Sequence, residues 1–482
     1  MKHRLILGVL GLGGGLLAAV PQISNVGMAR KQADGAVSIA YRLSGAPAVV
    51  TMAFSAAGNG LGTGAQLSVT GDVNVLVQPG VHTAVLPSLP AGVEGRNLAV
   101  QVRAWATNCP PDYLVLNLTN ANEKARYYLS ADEVPGGVTA QQYKTTHLVM
   151  RKIPAANVEW RMGSPEQEAG HAAWYSRGSA KDYSSGENLH YVRLTEDYYL
   201  GIYPVTYRQH CWATRSAGAT YGYWGNADFA DVRRDDWPYA PTQYVSLRSW
   251  MHDNDKGCDG LHEDGTTCVY IHRWPRDGHT IDAARSPKCL KSTGTYTPYL
   301  RSWRDTFGFE FDLPTDAQWE FACRAGTRGA LYNDTDRANY TMASSQEKLD
   351  EIAWNMNNSM DETVQMRTVK PVGLKQPNAF GLYDMIGNVW EWCLDVSYAP
   401  ALSGETVVDP TGPDDANTRS RTCILRGGSF CSPVGTCRSA ARVAVATPYL
   451  GSNAFADDEI DGHKTSSWQY GYRLCLPAQA AR

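Results

Sequence analysis

From about residue 30 to residue 135 apolar and polar positions alternate in short runs. These are Val37-Ser-Ile-Ala-Tyr-Arg-Leu, Val49-Val-Thr-Met-Ala-Phe, Val73-Asn-Val-Leu-Val, Leu98-Ala-Val-Gln-Val-Arg-Ala-Trp and Tyr113-Leu-Val-Leu-Asn-Leu, with glycine and proline between them. A period of two over such lengths predicts half-buried antiparallel strands, and the turn residues predict hairpins. The expected unit is a small β-sandwich of immunoglobulin-like size over residues 28–135, with no catalytic pattern in it. Pro135-Gly136-Gly137 reads as a linker. Beyond it the periodicity fades, Trp, Tyr, Asn and Gly become frequent, and long helical patterns are few. One helix is legible. Thr315 and Gln318 form a capping box, Trp319, Ala322 and Cys323 share a face, and Gly326 supplies the stop. The acidic, glycine- and cysteine-rich stretch at 252–296 reads as an insertion.

The start of the chain changes the picture of where it works. Lys2, His3 and Arg4 precede an uncharged apolar stretch from Leu5 to Val20, closed by Pro21. This pattern predicts a signal peptide over residues 1–20, cleaved near Ala19, because the stretch barely reaches the roughly 17–25 residues of a spanning helix. An uncleaved anchor is the other reading. The expected location is secreted, periplasmic or cell-surface, and no later segment is apolar enough to make an integral membrane protein.

With 482 residues the chain exceeds one ordinary core, so two or three domains are expected. A net charge of −4, with 43% hydrophobic and 19% charged residues, describes a soluble globular protein without a basic run for nucleic acid. Eleven cysteines suit an oxidising compartment, and an odd number leaves one unbridged within the chain. Cys258 and Cys268 flank a turn-rich loop and are the expected local pair. A CxxC motif is absent.

Four blocks in order carry further information. The first comprises Trp160-Arg-Met-Gly-Ser164, His190-Tyr-Val and Tyr199-Leu-Gly-Ile-Tyr-Pro-Val-Thr206. The second is Leu313-Pro-Thr-Asp-Ala-Gln-Trp-Glu-Phe-Ala-Cys-Arg-Ala-Gly326. The third joins Pro371-Val-Gly373 and Pro377-Asn378 to Gly381-Leu-Tyr-Asp-Met-Ile-Gly-Asn-Val-Trp-Glu-Trp-Cys393. The fourth holds Arg426-Gly-Gly-Ser-Phe430, Arg438-Ser-Ala-Ala-Arg442 and Gly471-Tyr-Arg473. Together they resemble the formylglycine-generating enzyme (sulfatase-modifying factor) family across residues 148–477. The resemblance implies an α+β, composite C-type-lectin-like domain with little regular secondary structure, stiffened by buried aromatics, glycine turns and calcium.

In Asp384-Met-Ile-Gly-Asn-Val-Trp-Glu391 a glycine permits a tight turn and two carboxylates bracket carbonyls, hard oxygen ligands that suit calcium. By similarity the calcium site comprises the side chains of Asp384 and Glu391 and the carbonyls of Gly387 and Val389. Alternatively Glu391 pairs with an arginine such as Arg438 or Arg442, since a carboxylate between two tryptophans cannot stay buried alone. Trp390 and Trp392, two apart on a strand, share a face opposite Glu391 and read as core. Asn388 reads as a turn residue. Arg426, Arg438, Arg442 and Arg473 either hold a substrate's carboxylates or form structural pairs. The family's second calcium site is not recognisable.

Formylglycine generators oxidise a cysteine of a target sulfatase with two cysteines that bind copper(I) and activate oxygen, soft thiolates being copper(I)'s preferred ligands. Here the candidates are Cys431 and Cys437, but five residues separate them where the family has four, in a shorter loop. A disulfide across the Pro-Val-Gly turn is the competing reading. The non-haem iron of related sulfoxide synthases has no home, because the N-terminal region is strand-patterned and His190, His210, His262, His272 and His279 are scattered. Two functions follow. One is an exported oxidoreductase acting on a protein or peptide side chain through Cys431 and Cys437. The other is a non-catalytic lectin-like binding module for a glycan or peptide on the same scaffold.

Overall fold

A computed structural model of the chain describes residues 20–30, 35–93, 97–165, 168, 187–214, 240–241, 299–334, 346–362, 365–396, 404–411, 422–446, 459–460, 463–464 and 469–478. The signal stretch to residue 19, the insertion with Cys258 and Cys268, and His262, His272 and His279 lie outside the described residues. Two compact units result, Met1–Cys109 and Pro110–Arg482.

Among its described residues the first unit is built from strands. Its strands are β1 (Gln22–Arg30), β2 (Val37–Ser44), β3 (Ala48–Ala56), β4 (Asn59–Thr63), β5 (Thr70–Gly71), β6 (Val75–Val77), β7 (Gly80–Leu86) and β8 (Leu98–Ala106). One sheet runs β1-β2-β7-β5, the other β4-β3-β6 with β8 also on β3. Alternation explains the core: Val37, Ile39, Tyr41 and Leu43 of β2 meet Val50, Met52 and Phe54 of β3 in one apolar cluster. Each such side chain contributes roughly 1.5–3 kcal/mol by leaving water.

The second unit is mixed and sheet-rich, with four short α-helices among the described residues. In chain order its first strands are β9 (Tyr113–Asn117), β10 (Arg126–Tyr128), β11 (His147–Ile153), β12 (Val158–Met162), β13 (His190–Leu194) and β14 (Tyr198–Gly201). There follow β15 (Met360–Asp361), β16 (Met366–Arg367), β17 (Trp390–Val396), β18 (Val407–Val408), β19 (Thr422–Arg426) and β20 (Arg442–Ala446). The last are β21 (Glu459–Ile460), β22 (His463–Lys464), β23 (Tyr470–Gly471) and β24 (Cys475–Pro477). Helices α1 (Tyr207–Thr214), α2 (Tyr299–Phe307), α3 (Asp316–Arg324) and α4 (Gln346–Ile352) lie between. The largest sheet is β10-β9-β11-β14-β24, and a four-stranded sheet β20-β19-β17-β23 carries the third and fourth blocks. None of the described helices is long and apolar enough to cross a membrane.

Alternation alone groups the 113–118 run with the N-terminal strands, yet β9 pairs with β10 and β11 of the second unit, and the first unit ends at Cys109. Tyr113 to Leu116 are all buried, so this strand is central and apolar on both faces instead of alternating. The capping box forms as expected: the Gln318 N–H donates to Thr315 Oγ1 at 3.2 Å, and the Thr315 N–H to Gln318 Oε1 at 2.9 Å. Helix α3 closes one residue before the expected glycine, on Ala325 in the left-handed region with φ 45°.

Candidate functional site

Strand β17 is entered through a left-handed turn in which Asp384, Gly387 and Asn388 have φ of 52°, 77° and 63°. Gly387 is obligatory, because a Cβ there would lie 2.3 Å from the Trp354 carbonyl oxygen. Asn388 reaches further than a local turn residue. Its Nδ2 donates to the Lys370 carbonyl at 3.0 Å and its Oδ1 accepts from the Lys370 N–H at 3.1 Å. The turn is also tied to the fourth block, since the Gly387 N–H donates to Gly427 O at 2.8 Å and the Phe430 N–H to Asn388 O at 2.9 Å. The candidate acids and the candidate thiols thus belong to one hydrogen-bonded unit at one end of the β19-β17-β23 strands.

The two acids have different partners. Glu391 accepts from the Trp319 indole N–H at 2.7 Å, from Arg473 Nη2 at 2.8 Å, and from Arg473 Nε at 3.0 and 3.2 Å. These four contacts come from three N–H groups, the Arg473 Nε–H being shared between the two oxygens. Arg473 also donates to the carbonyls of Gly201 and Tyr383. Glu391 therefore has an arginine partner, and that partner is Arg473, not Arg438 or Arg442. Asp384 accepts from the Gly373 N–H at 2.7 Å and, more distantly, from Asn388 Nδ2 at 3.4 Å. Burial pushes its carboxyl up to about 6, against the lowering effect of the Gly373 hydrogen bond and the Arg473 charge. Glu391, one of the four expected calcium ligands, thus accepts from three N–H groups of Trp319 and Arg473.

The other three arginines form structural pairs. Arg426 donates to Asp316, to Glu320 at 2.9 Å and to the Ala440 carbonyl at 2.8 Å. Arg324 binds the other oxygen of Glu320 at 2.8 Å, and Arg442 faces Asp316 at 3.1 Å. Burial alone would raise Asp316 and Glu320, but the facing arginines hold both carboxyls below their ordinary values. Arg438 grips Glu168 at 2.6 Å and Glu187 at 3.0 Å. Spacing could not have revealed Glu168 or Glu187, which lie 270 and 251 residues before their partner. Glu320 was more legible, standing four residues before Arg324 on one helix face.

The thiols sit in the loop after β19. Cys437 is buried, Cys431 is partly exposed, and neither is in a disulfide. Gly428, with φ 81°, lets the chain cross over Cys437, where a Cβ would stand 2.7 Å from Sγ. Around them Ser429 Oγ donates to Gln469 Oε1 at 2.6 Å, the Ser429 N–H donates to Ser432 Oγ at 2.9 Å, and the Cys431 N–H to Ser429 Oγ at 3.2 Å. Trp390 and Trp392 are buried core, as their spacing predicts. His190 hydrogen-bonds the Asn188 carbonyl, and His210 meets the Tyr472 hydroxyl with its pKa lowered to about 4 by burial. Among the described residues no three His, Cys, Asp or Glu side chains gather in a metal-holding group.

Comparison with known proteins agrees with the four blocks. Residues 161–453 match the sulfatase-modifying factor enzyme 1-like domain. The formylglycine-generating enzyme of Thermomonospora curvata is 31% identical over 153 residues, covering 29% of this chain and 48% of that protein. Its counterpart in Streptomyces coelicolor is 33% identical over 141 residues, or 27% and 40%. The matched stretch thus spans less than half the length of either relative. Among solved structures, Treponema denticola variable protein 1 aligns over 69% of this chain and 96% of its own, at 19% identity and a TM-score of 0.39, too loosely to carry an argument. The family match covers more than half of the chain, and the chain belongs to the sulfatase-modifying factor enzyme 1-like (formylglycine-generating enzyme) family.

Proposed function

We propose that the second unit oxidises a cysteine side chain of a protein or peptide, in the manner of the formylglycine-generating enzymes, with Cys431 and Cys437 as the working thiols. The observation that carries this reading is that both thiols stand on the one loop that is hydrogen-bonded to the 384–391 turn. Two soft sulfur donors on one loop fit copper(I) in kind. Copper(I), when bound, supplies oxygen activation. The chain's own part is to hold the loop through Ser429, Ser432 and Gln469 and to leave Cys431 reachable while Cys437 is enclosed.

The same proposal includes export behind the basic and apolar N-terminus, and a sandwich reading for the two sheets that share one core in the first unit. It also gives the second unit the composite C-type-lectin-like architecture. Calcium at Asp384, Gly387, Val389 and Glu391 is left out of it, since Glu391 already has Arg473 as its partner.

The test uses the full chain with copper(I), oxygen and cysteine-containing peptides, with an aldehyde-trapping probe as the readout. Aldehyde formation that disappears in Cys431→Ser is expected. A copper-loaded wild-type chain that yields no aldehyde from a broad cysteine-peptide library would remove this reading.

A further inference from the structure

We infer that Arg438, gripped by Glu187 and Glu168, is the positioning residue of the thiol loop: it fixes the turn between Cys431 and Cys437 and keeps Cys437 enclosed. The inference rests on the oxidative reading only in treating this loop as the working one.

Arg438 follows Cys437 directly and is almost wholly buried. Its Nε donates to the Gly435 carbonyl at 2.6 Å, inside the short 3-10 turn Val434–Thr436 that separates the two thiols. Its Nη1 donates to Glu168 Oε1 at 2.6 Å, and its Nη2 to both oxygens of Glu187 at 3.0 and 3.1 Å. Glu187 is itself fixed: Ser164 Oγ donates to Glu187 Oε2 at 2.9 Å, and the Ser164 N–H donates to the Glu187 carbonyl at 2.8 Å. The guanidinium therefore ties the first block of the sequence to the last. A planar fork serving three acceptors in fixed directions is something a lysine cannot reproduce.

The consequence is local. Without its carboxylates, Arg438 is an unpaired buried cation that must seek water, and it carries Gly435 with it. The turn then opens, and the residue that loses cover is Cys437. Cys393, equally buried, stands in strand β17, whereas Cys323 donates to the Ser439 hydroxyl beside Arg438 and moves with this segment.

Native alkylation of the full chain, followed peptide by peptide with mass spectrometry, tests the inference. In the wild type Cys431 is labelled and Cys437 is protected. In Glu187→Gln and Arg438→Lys the Cys437 rate rises about tenfold or more, while Cys393 stays protected. Glu187→Asp, which keeps the charge, restores part of the protection. Ser164→Ala gives a rise of about threefold and serves where Glu187→Gln does not fold. Cys437 and Cys393 rising in parallel would mean general destabilisation, and an unchanged Cys437 in the folded variants would mean no positioning. Either result overturns the inference. A wild type that labels as described yet makes no aldehyde sinks the oxidative reading alone.

Discussion

The two units solve the problem of a stable interior in opposite ways. The first buries alternate apolar side chains of two sheets, Ile39, Tyr41, Val50 and Phe54 among them, in one cluster. The second buries tryptophans as well, but threads them with charges: Arg426, Arg438 and Arg473 are each almost completely enclosed and each bonded to carboxylates. An apolar core tolerates the loss of one contact by partial collapse, at a cost set by the cavity. An ionic core does not, because removing one partner leaves the other as an uncompensated buried charge.

The largest effect should therefore come from Arg426→Met, which removes the cation that Asp316 and Glu320 share and leaves them only Arg442 and Arg324. A loss of about 3–5 kcal/mol is expected in the second unit. Chemical unfolding followed by fluorescence of the second unit's tryptophans should register it, with the transition of a separately monitored first-unit probe unmoved. A shift below about 1 kcal/mol would mean that Arg442 and Arg324 hold the two acids unaided, and the contrast between the units would dissolve. In the first unit, Ile39→Ala removes a fully enclosed side chain and should cost about 2–4 kcal/mol there, by the transfer and cavity terms alone. Its pH dependence should be flat between about pH 5 and pH 9, unlike that of any charge variant in the second unit.

The same contrast decides what was legible. Alternation gave β2, β3, β6 and β8, because a strand with one wet face writes its period into the sequence. It misplaced the 113–118 run, since periodicity reports which faces are apolar and not which sheet a strand joins. The capping box of α3 and the shared face of Trp390 and Trp392 were readable because both are set by neighbours a few residues away. Glu391 was readable as a carboxylate in need of a partner. The identity of that partner, Arg473, was not, because it lies 82 positions further on and four arginines were eligible. Glu187 and Glu168 left no signal, being ordinary acids made structural only by Arg438.

A smaller effect belongs to Asp384. Burial raises its carboxyl to about 6 in the folded chain, above the roughly 3.9 of an unfolded aspartate. A raised folded value means the native state binds the proton more tightly. Its contribution is favourable below about pH 4 and is lost as pH rises through about 6. Two units correspond to about 3 kcal/mol at most. Asp316 and Glu320, held low by their arginines, act in the opposite sense and lose their contribution as pH falls. Comparing Asp384→Asn with the wild type isolates the first effect. The variant should be more stable by about 1–3 kcal/mol near pH 8 and indistinguishable near pH 4. A variant less stable at both would mean that the carboxylate is needed charged, as a cation's ligand would be.

That outcome bears on the smallest effect of all, which is the response to chelation. A calcium ion bound only by the native state would raise the melting temperature by mass action, and stripping it would lower that temperature by several degrees. Here the charge beside Glu391 is already supplied by Arg473, and three N–H groups donate to its two oxygens. The melting temperature of calcium-equilibrated protein should therefore move by less than about 1 °C on chelation. A drop of several degrees would show that Glu391 exchanges its guanidinium for a cation when one is present. The second unit would then be held by metal at this buried turn, and Arg473→Met would be expected to strengthen calcium binding instead of merely destabilising the fold.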